Sequence, residues 1–330
     1  MLSDKTNEQN AHSFFEGWHE NQTEFGLNTS GSTGHPKSIV LEREKMIWSA
    51  QKTFEAYFTR SINKYQLCCL PVTKVGGLMQ LVRSAVWNTP IDVVEPSSNP
   101  LLNYYGTAAI TSLTPMQLAV IVEHEESKHI LHQFHTVLIG GGDISRDLEQ
   151  LLLQEYPDTR WIHTFGMTET YSHFAGRFLG EKNYKVLPET EISTTSDETL
   201  QLRNLITNHE WLATNDLIEI VSQTEFIWKG RIDFTINSGG VKIQLETVET
   251  EIAELTSWTQ NTFCCWYEND AILGQKLILL TTQSNVPQNW NFTNPYFKPK
   301  EVYTIERLYF SENGKINRLK SYELAKIKAI

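Results

Sequence analysis

The sequence predicts an α/β fold: a layered α/β N-terminal domain with a β-rich subdomain, followed by a small α+β C-terminal domain. Three observations carry this reading. From about residue 25 to 165, strand-like and helix-like segments alternate. Over residues 185–221 the pattern changes to short strands separated by polar turns. From Asp233 onward, one helical pattern is set among strands and a Pro/Asn-rich loop. A chain of 330 residues suits two domains, or one large domain with an appendage.

Each element has a local reason. Residues 38–41, 66–70, 91–94, 108–113, 136–139 and 160–163 are short apolar runs of strand length. Residues 45–59 place Met46, Ala50, Phe54, Tyr57 and Phe58 at three- and four-residue steps, which predicts a helix. Residues 77–87 and 116–123 are apolar nearly all round, as helices packed on a sheet would be, and 146–154 carries a leucine stripe. In the last region a helix is expected over 245–255, with strands over 262–267 and 276–281 and a loop over 286–299. The final 30 residues hold six Lys/Arg against four Glu, which reads as a solvated basic tail.

Composition narrows the function classes. Hydrophobic residues make up 40% and charged residues 20%, enough for a packed core. Lys and Arg total 28 against 39 Asp and Glu, a net charge of -11, which argues against nucleic acid as a partner. A polyphosphate ligand stays open, because its site needs only a few local cations. No apolar run approaches the ~18 residues of a membrane span, and the polar, acidic start lacks a secretory pattern. The four cysteines are adjacent pairs, Cys68-Cys69 and Cys264-Cys265, in apolar runs. They read as buried free thiols in a reducing, cytoplasmic setting rather than as zinc or redox sites. The histidines His124, His129, His132 and His135 invite a metal reading, but no acid or cysteine completes a set, and a solvated helix end is preferred.

Residues 29–38 read TSGSTGHPKS. Hydroxyls, glycines and a lysine following a strand-like segment suit a phosphate clamp: glycines let backbone N–H groups approach oxyanions, hydroxyls donate, and the lysine adds a point charge. The Walker A pattern fails, because it needs glycine before the lysine and Pro36 stands there without an N–H.

This string resembles the phosphate loop of the adenylate-forming superfamily, which includes acyl- and aryl-CoA synthetases, peptide-synthetase adenylation domains and luciferases. The resemblance implies that Thr29, Ser30, Gly31, Ser32, Thr33, Gly34 and Lys37 hold phosphate. Six further segments follow in the family's order. LIGGGDI over 138–144 is similar to the turn that lines the adenine and acyl pocket, here Gly140, Gly141 and Gly142. TFGMTE over 164–169 resembles the YG-x-TE motif, which implies Phe165 and Gly166 against adenine, Thr168 on phosphate and Glu169 as the Mg²⁺ ligand. TND over 214–216 resembles TGD, whose aspartate (Asp216) grips the ribose, with Asn215 in place of the usual glycine. GRID over 230–233 matches G-R-x-D, which implies Arg231 as a second ribose ligand and Asp233 as a hinge between 1–232 and a mobile lid, 233–330. SGGVKI over 238–243 resembles the loop that reaches the coenzyme A channel, through Gly239, Gly240 and Lys242. GKINR over 314–318 resembles the terminal motif whose lysine, Lys315, bridges phosphate and carboxylate.

The resemblance implies ATP, Mg²⁺ and coenzyme A acting on a small-molecule carboxylic acid through an acyl-adenylate. With the phosphate loop beginning at residue 29, the resemblance leads to the expectation that the family's first subdomain is missing, and such short forms resemble o-succinylbenzoate–CoA ligases of menaquinone synthesis. LPVTKVGGLMQLVR over 70–83 is similar to the P-L-x-H-x-x-G segment, with Gly77 matching its glycine and Lys74 in place of histidine. Nine residues on, Arg83 either holds the second carboxylate of a diacid or faces solvent. His163 and His173 flank TFGMTE, and each either lines the acyl pocket or packs. Leu245 replaces a usual proline and Thr247 the first of two usual glutamates, while Glu249 matches the second. Those departures bear on the acceptor, leaving a carrier-protein thiol beside coenzyme A. A reading of another class is an inactive nucleotide-binding protein.

Overall fold

The computed structural model describes residues 6–29, 37–58, 64–287, 289–310 and 316–328. The chain divides into two compact units: 1–193 with 201–212 and 220–227, and 194–200 with 213–219 and 228–330.

The first unit opens with α1 (Asn7–His19), a helix absent from the sequence reading because its segment is polar overall. Thr6 and Gln9 form a capping box at its start, and Ala11, Phe14 and Trp18 make its buried face. Buried Asn7 bonds the carbonyls of Leu70 (3.1 Å) and Val94 (2.9 Å) and accepts from the Val72 N–H (2.9 Å), so α1 pins the segment leading to Lys74. A hairpin of β1 (Glu24–Thr29) and β2 (Lys37–Glu42) follows, then α2 (Arg43–Tyr57).

The sheet comes next: β3 (Gln66–Cys68), α3 (Val75–Trp87), β4 (Ile91–Val93), β5 (Ile110–Leu113), α4 (Pro115–Glu123), α5 (Glu125–Lys128), β6 (Thr136–Ile139), α6 (Arg146–Glu155) and β7 (Arg160–Met167). The order β4-β3-β5-β6-β7 is parallel throughout. Every residue of β3, β5 and β6 is buried, as expected where helices cover both faces. Alternate residues enter opposite cores. Cys68 joins a cluster with α1, α2 and α3, while Leu67, Leu113, Val137 and Ile139 join one with α4 and α6. Antiparallel β8 (Ser172–Phe178) and β9 (Tyr184–Val186) extend the sheet from β7. Strands β10 (Glu191–Thr194), β11 (Thr199–Arg203), β12 (Leu212–Ser222) and β13 (Glu225–Arg231) supply the β-rich region expected over 185–221.

In the second unit, β14 (Thr235–Ser238) and β15 (Val241–Gln244) form a hairpin and α7 (Leu245–Thr256) follows. The antiparallel pair β16 (Phe263–Asp270) and β17 (Gly274–Thr281) is extended by β18 (Glu301–Thr304), parallel to β17. The basic tail is not a loose surface segment. It forms α8 (Arg318–Lys328), which buries Ala325 against Cys264, Ile278 and Leu280. Period-two alternation sends Cys265 to the core under α7 and Cys264 to the core under α8. All four cysteines are buried and free. No helix among the described residues is long and apolar enough to cross a membrane.

Glu268 joins three elements of this unit. It accepts from Lys276 (3.0 Å), Lys326 (2.7 Å) and the Tyr303 hydroxyl (2.8 Å). Burial alone pushes its carboxyl up, but bonds from Lys326, Tyr303 and Lys276 outweigh this and hold it down at about 2. A carboxylate with a depressed folded pKa stabilises the fold above its unfolded value, and that stability is lost as pH falls toward the folded one. Glu268→Gln should therefore cost about 1–2 kcal/mol at pH 7, discounted for solvent screening of Lys326. The difference from wild type should shrink as pH falls from about 4.5 toward about 2 in urea unfolding.

Candidate active site

Side chains that can do chemistry gather where the parallel strands of the first unit end. Lys74 and Gly77 follow β3, Ser112 lies near the end of β5, the 140–142 turn follows β6, and His163, Phe165, Thr168 and Glu169 lie along and after β7. The C-terminal edge of a parallel sheet is where ligands bind in such folds, because successive loops diverge there and leave a crevice. Thr29 pairs with Lys37 across the β1–β2 pair, so the first residue of the TSGSTG string and the lysine that follows it lie opposite each other in the backbone register. Ser30, Gly31, Ser32, Thr33, Gly34 and Lys315 lie outside the described residues.

Lys74 is the N-cap residue of α3, and Gly77 in its first turn has no room for a side chain, since a Cβ there would lie 2.4 Å from the Pro71 carbonyl. Arg83, two turns further on, is 3% exposed, so the solvent-facing alternative falls away. Its Nη2 makes a long contact, 3.4 Å, to the Ser112 hydroxyl, and its Nη1 has no hydrogen-bond partner among the described residues. Burial lowers this guanidinium to about 10, and the nearby Cys68 opposes that. His173 lies within the field of Arg83. Burial first, and then that charge, lower its imidazole to about 3, so it is neutral at physiological pH. Its Nε2 is 3.2 Å from the Thr53 hydroxyl and its Nδ1 3.2 Å from that of Ser172.

The 140–142 turn is anchored at both ends. The Gly140 N–H donates to the Leu113 carbonyl (3.1 Å), and the Gly142 carbonyl meets His163 Nε2 (3.1 Å). Phe165 packs against Tyr184, Phe174 and Phe226, at ring separations of 5.2, 5.7 and 5.4 Å. Gly166 is required, because a Cβ there would lie 2.2 Å from the Ser172 carbonyl of the adjoining strand. Beyond it the chain makes a single helical turn (Thr168–Thr170), with Thr168 half-buried and Glu169 exposed. Tyr171 closes that turn, and its hydroxyl accepts from the Glu42 N–H (3.0 Å) at the start of α2.

The second unit brings together Asp216, Arg231 and Asp233. Arg231 bonds Asp233 (2.7 Å) and lies 3.8 Å from Asp216, whose side chain is 13% exposed. Two partners were not read from the sequence. The Trp228 indole donates to Asp216 (3.1 Å), and the Asn215 amide donates to both oxygens of Asp233 (3.0 and 3.1 Å). Alternation along β12 and β13 was the available signal for Trp228, but its pairing with Asp216 depends on register. Gly239 and Gly240 form the two-residue β14–β15 turn with φ of +60° and +83°, the left-handed values a tight hairpin demands. Lys242 is exposed on β15. Near the GKINR segment, half-buried Glu249 of α7 takes a two-pronged bond from Arg318 (3.2 and 2.7 Å) and accepts from the Cys265 N–H (2.7 Å). The first unit thus holds a buried guanidinium near the strand ends, and the second a partly exposed cluster of one arginine and two aspartates.

Residues 6–202 match the family of AMP-binding enzymes. The chain belongs to that family. Curated relatives include a 2-succinylbenzoate–CoA ligase of Listeria monocytogenes, 23% identical over 93% of this chain and 71% of that protein. A D-alanine–D-alanyl carrier protein ligase of Staphylococcus aureus is also 23% identical, over 92% of this chain and 72% of its own. Among solved structures, an acyl-CoA synthetase (AMP-forming)/AMP-acid ligase II-like protein of Dyadobacter fermentans is 31% identical with a TM-score of 0.67. The match covers 98% of this chain and 96% of that one. The o-succinylbenzoate coenzyme A synthetase of Bacillus subtilis, solved with ATP and magnesium ion, shares the fold at a TM-score of 0.73 and 19% identity, over 89% and 69% of the two chains. The protein is an AMP-forming acid–thiol ligase with the α/β architecture its sequence predicts.

Trp228→Phe tests the second cluster. It keeps an aromatic ring but leaves Asp216 without its indole donor. On the reading that Asp216 holds the ribose, the KM for ATP should rise roughly three- to tenfold, the net value of one typical hydrogen bond. The melting temperature should stay within a few degrees of wild type in the same preparations.

Proposed function

We propose that the protein joins o-succinylbenzoate to coenzyme A in menaquinone biosynthesis. A carboxylate oxygen of the acid attacks the α-phosphorus of ATP, the bond to the bridging oxygen breaks, and pyrophosphate leaves. The thiolate of coenzyme A then attacks the acyl carbon, and AMP leaves with the electron pair of the broken bond. In this reading the 29–34 string, Lys37 and Thr168 hold phosphate, Asp216 and Arg231 hold ribose, and Phe165 and the 140–142 turn flank the base. Lys315 bridges the two anions, and residues 233–330 act as a lid turning about Asp233 between the steps, bringing Gly239, Gly240 and Lys242 toward the thiol. Glu169, an exposed hard oxygen donor after β7, suits Mg²⁺, which would neutralise phosphate charge when bound. The buried thiols fit a reducing compartment, the cytoplasm.

Arg83 carries the choice of acid. A buried guanidinium with an unpartnered Nη1 and no carboxylate within ion-pair distance among the described residues is costly unless an anion arrives. A dicarboxylate supplies one at the end that does not react, whereas a benzoate or fatty acid has nothing to offer it. Lys74 and Gly77 stand at the start of the same helix. A second reading, favoured by the likeness to the carrier-protein ligase, keeps the adenylate and delivers the acyl group to a carrier-protein thiol.

The direct test is pyrophosphate and AMP release with ATP, Mg²⁺ and o-succinylbenzoate, with and without coenzyme A. Coupled release and thioester formation requiring coenzyme A support the proposal. Turnover on a different acid discards the pathway, and turnover requiring a carrier protein discards the acceptor. Arg83→Ala should raise KM for the dicarboxylate by roughly 10- to 100-fold, the loss of a buried charge-assisted bond. A monocarboxylic aryl acid should be used no worse than by wild type, and equal loss on both acids would refute the assignment. Lys315→Ala should slow adenylation by roughly 100-fold or more. Thioester formation from synthetic acyl-adenylate should stay near wild type, and parallel loss of both steps would remove the role given to Lys315.

A further inference from the structure

Three consecutive glycines at 140–142 give the turn after β6 no side chains by which packing could hold it, and Gly141 lies at φ +85°. Such a turn keeps its place through its backbone groups. The Gly140 N–H is taken by a neighbouring strand, and the Gly142 carbonyl is taken by His163.

The chemistry of that last bond dictates a run of donors. A carbonyl only accepts, so His163 Nε2 carries the proton and donates to it across 3.1 Å. His163 Nδ1 is then bare, so the Tyr184 hydroxyl, 2.9 Å away, must donate to it. The remaining acceptor capacity of that hydroxyl takes an N–H of Arg177. Arg177 is fixed in turn by a two-pronged bond to Glu149 of α6, both arms 2.8 Å. The register explains the alignment: His163 of β7 stands opposite Arg177 of β8, and the pairing of Gly176 with Lys185 sets Tyr184 of β9 beside it. His163 is 3% and Tyr184 6% exposed, so water does not compete for these groups. The Tyr184 ring also packs against Phe165 at 5.2 Å and stacks on Phe226 at 5.5 Å.

We propose that His163 and Tyr184 are positioning residues for the nucleotide pocket, holding the Gly142 carbonyl and the Phe165 ring in fixed relation through one directed run of hydrogen bonds. This rests on reading the 140–142 turn and Phe165 as walls of the ATP and acyl pocket. His163 then acts on the substrate through the turn rather than by touching the acid. Neither residue belongs to a motif, and Glu149 and Arg177 serve to orient the tyrosine hydroxyl.

The test compares three variants by calorimetric binding of ATP and by ATP KM and kcat in adenylation. Tyr184→Phe keeps the ring and removes the donor, His163→Leu removes both ring nitrogens, and His163→Gln restores an N–H toward Gly142. Tyr184→Phe should weaken ATP binding and raise its KM roughly three- to tenfold, with kcat within about twofold of wild type. His163→Leu should lose more, and His163→Gln should recover most of that loss. Wild-type ATP affinity in Tyr184→Phe and His163→Leu would overturn the proposal. So would equal losses in the Leu and Gln variants, the mark of a merely structural histidine. The binding arm needs no acid, so a wild type that binds ATP but turns over no o-succinylbenzoate would sink the proposed substrate while leaving this inference to stand or fall on the variants.

Discussion

Covering a parallel sheet on both faces is the constraint from which the site follows. With β3, β5 and β6 wholly buried, their side chains are committed to packing, and polar chemistry is pushed to the strand ends. The loops that leave those ends carry Lys74, the 140–142 turn, Thr168 and Glu169. Even the cysteine pairs obey this geometry: neighbours along a strand point into opposite cores, so Cys264 and Cys265 serve different helices and are inert as thiols. Burial pushes the Cys264 thiol far above its ordinary range, which agrees with a packing role.

The arginines drawn in from the surface differ in how they are paired. Arg177 with Glu149, and Arg318 with Glu249, are paired two-pronged inside the protein. Such pairs add direction more than net stability, because desolvation offsets much of their attraction. The first orients Tyr184. The second joins α7 to the start of α8, immediately after the GKINR segment. Arg83 differs from both, since its Nη1 has no partner of its own. Its neighbour His173 is kept neutral, so it adds no second positive charge to the same pocket. This asymmetry between paired and unpaired cations is what the proposed preference for a dicarboxylate rests on.

Glycine has two distinct uses here, and the family motifs contain both. Gly166 lets two strands close on each other, a steric need that any alternative residue would violate. The 140–142 turn instead trades side-chain anchorage for close approach, and so depends on His163 for a fixed position. That dependence explains why a buried histidine and a tyrosine outside every motif stand in the same row of the sheet.

The sequence by itself determined the fold class, most strand and helix positions and the family, because period-two and period-3.6 patterns and the glycine-rich strings are local. Residues 136–139 were read as a strand and are one, and the 45–59 pattern differs from α2 by two residues at each end. Three helices escaped, the one-turn α5 among them. The start of the chain hides the apolar stripe of α1 among polar residues, and α8 reads as a basic tail until Cys264 and Leu280 offer it a core. Only the tertiary structure decided that Arg83 is buried rather than exposed, since a helix position has no inside until a sheet is laid against it. It likewise decided that Trp228 serves Asp216 and that Tyr184 serves His163. Those partners are separated along the chain by 12 and 21 residues and meet through strand register, which no local pattern encodes.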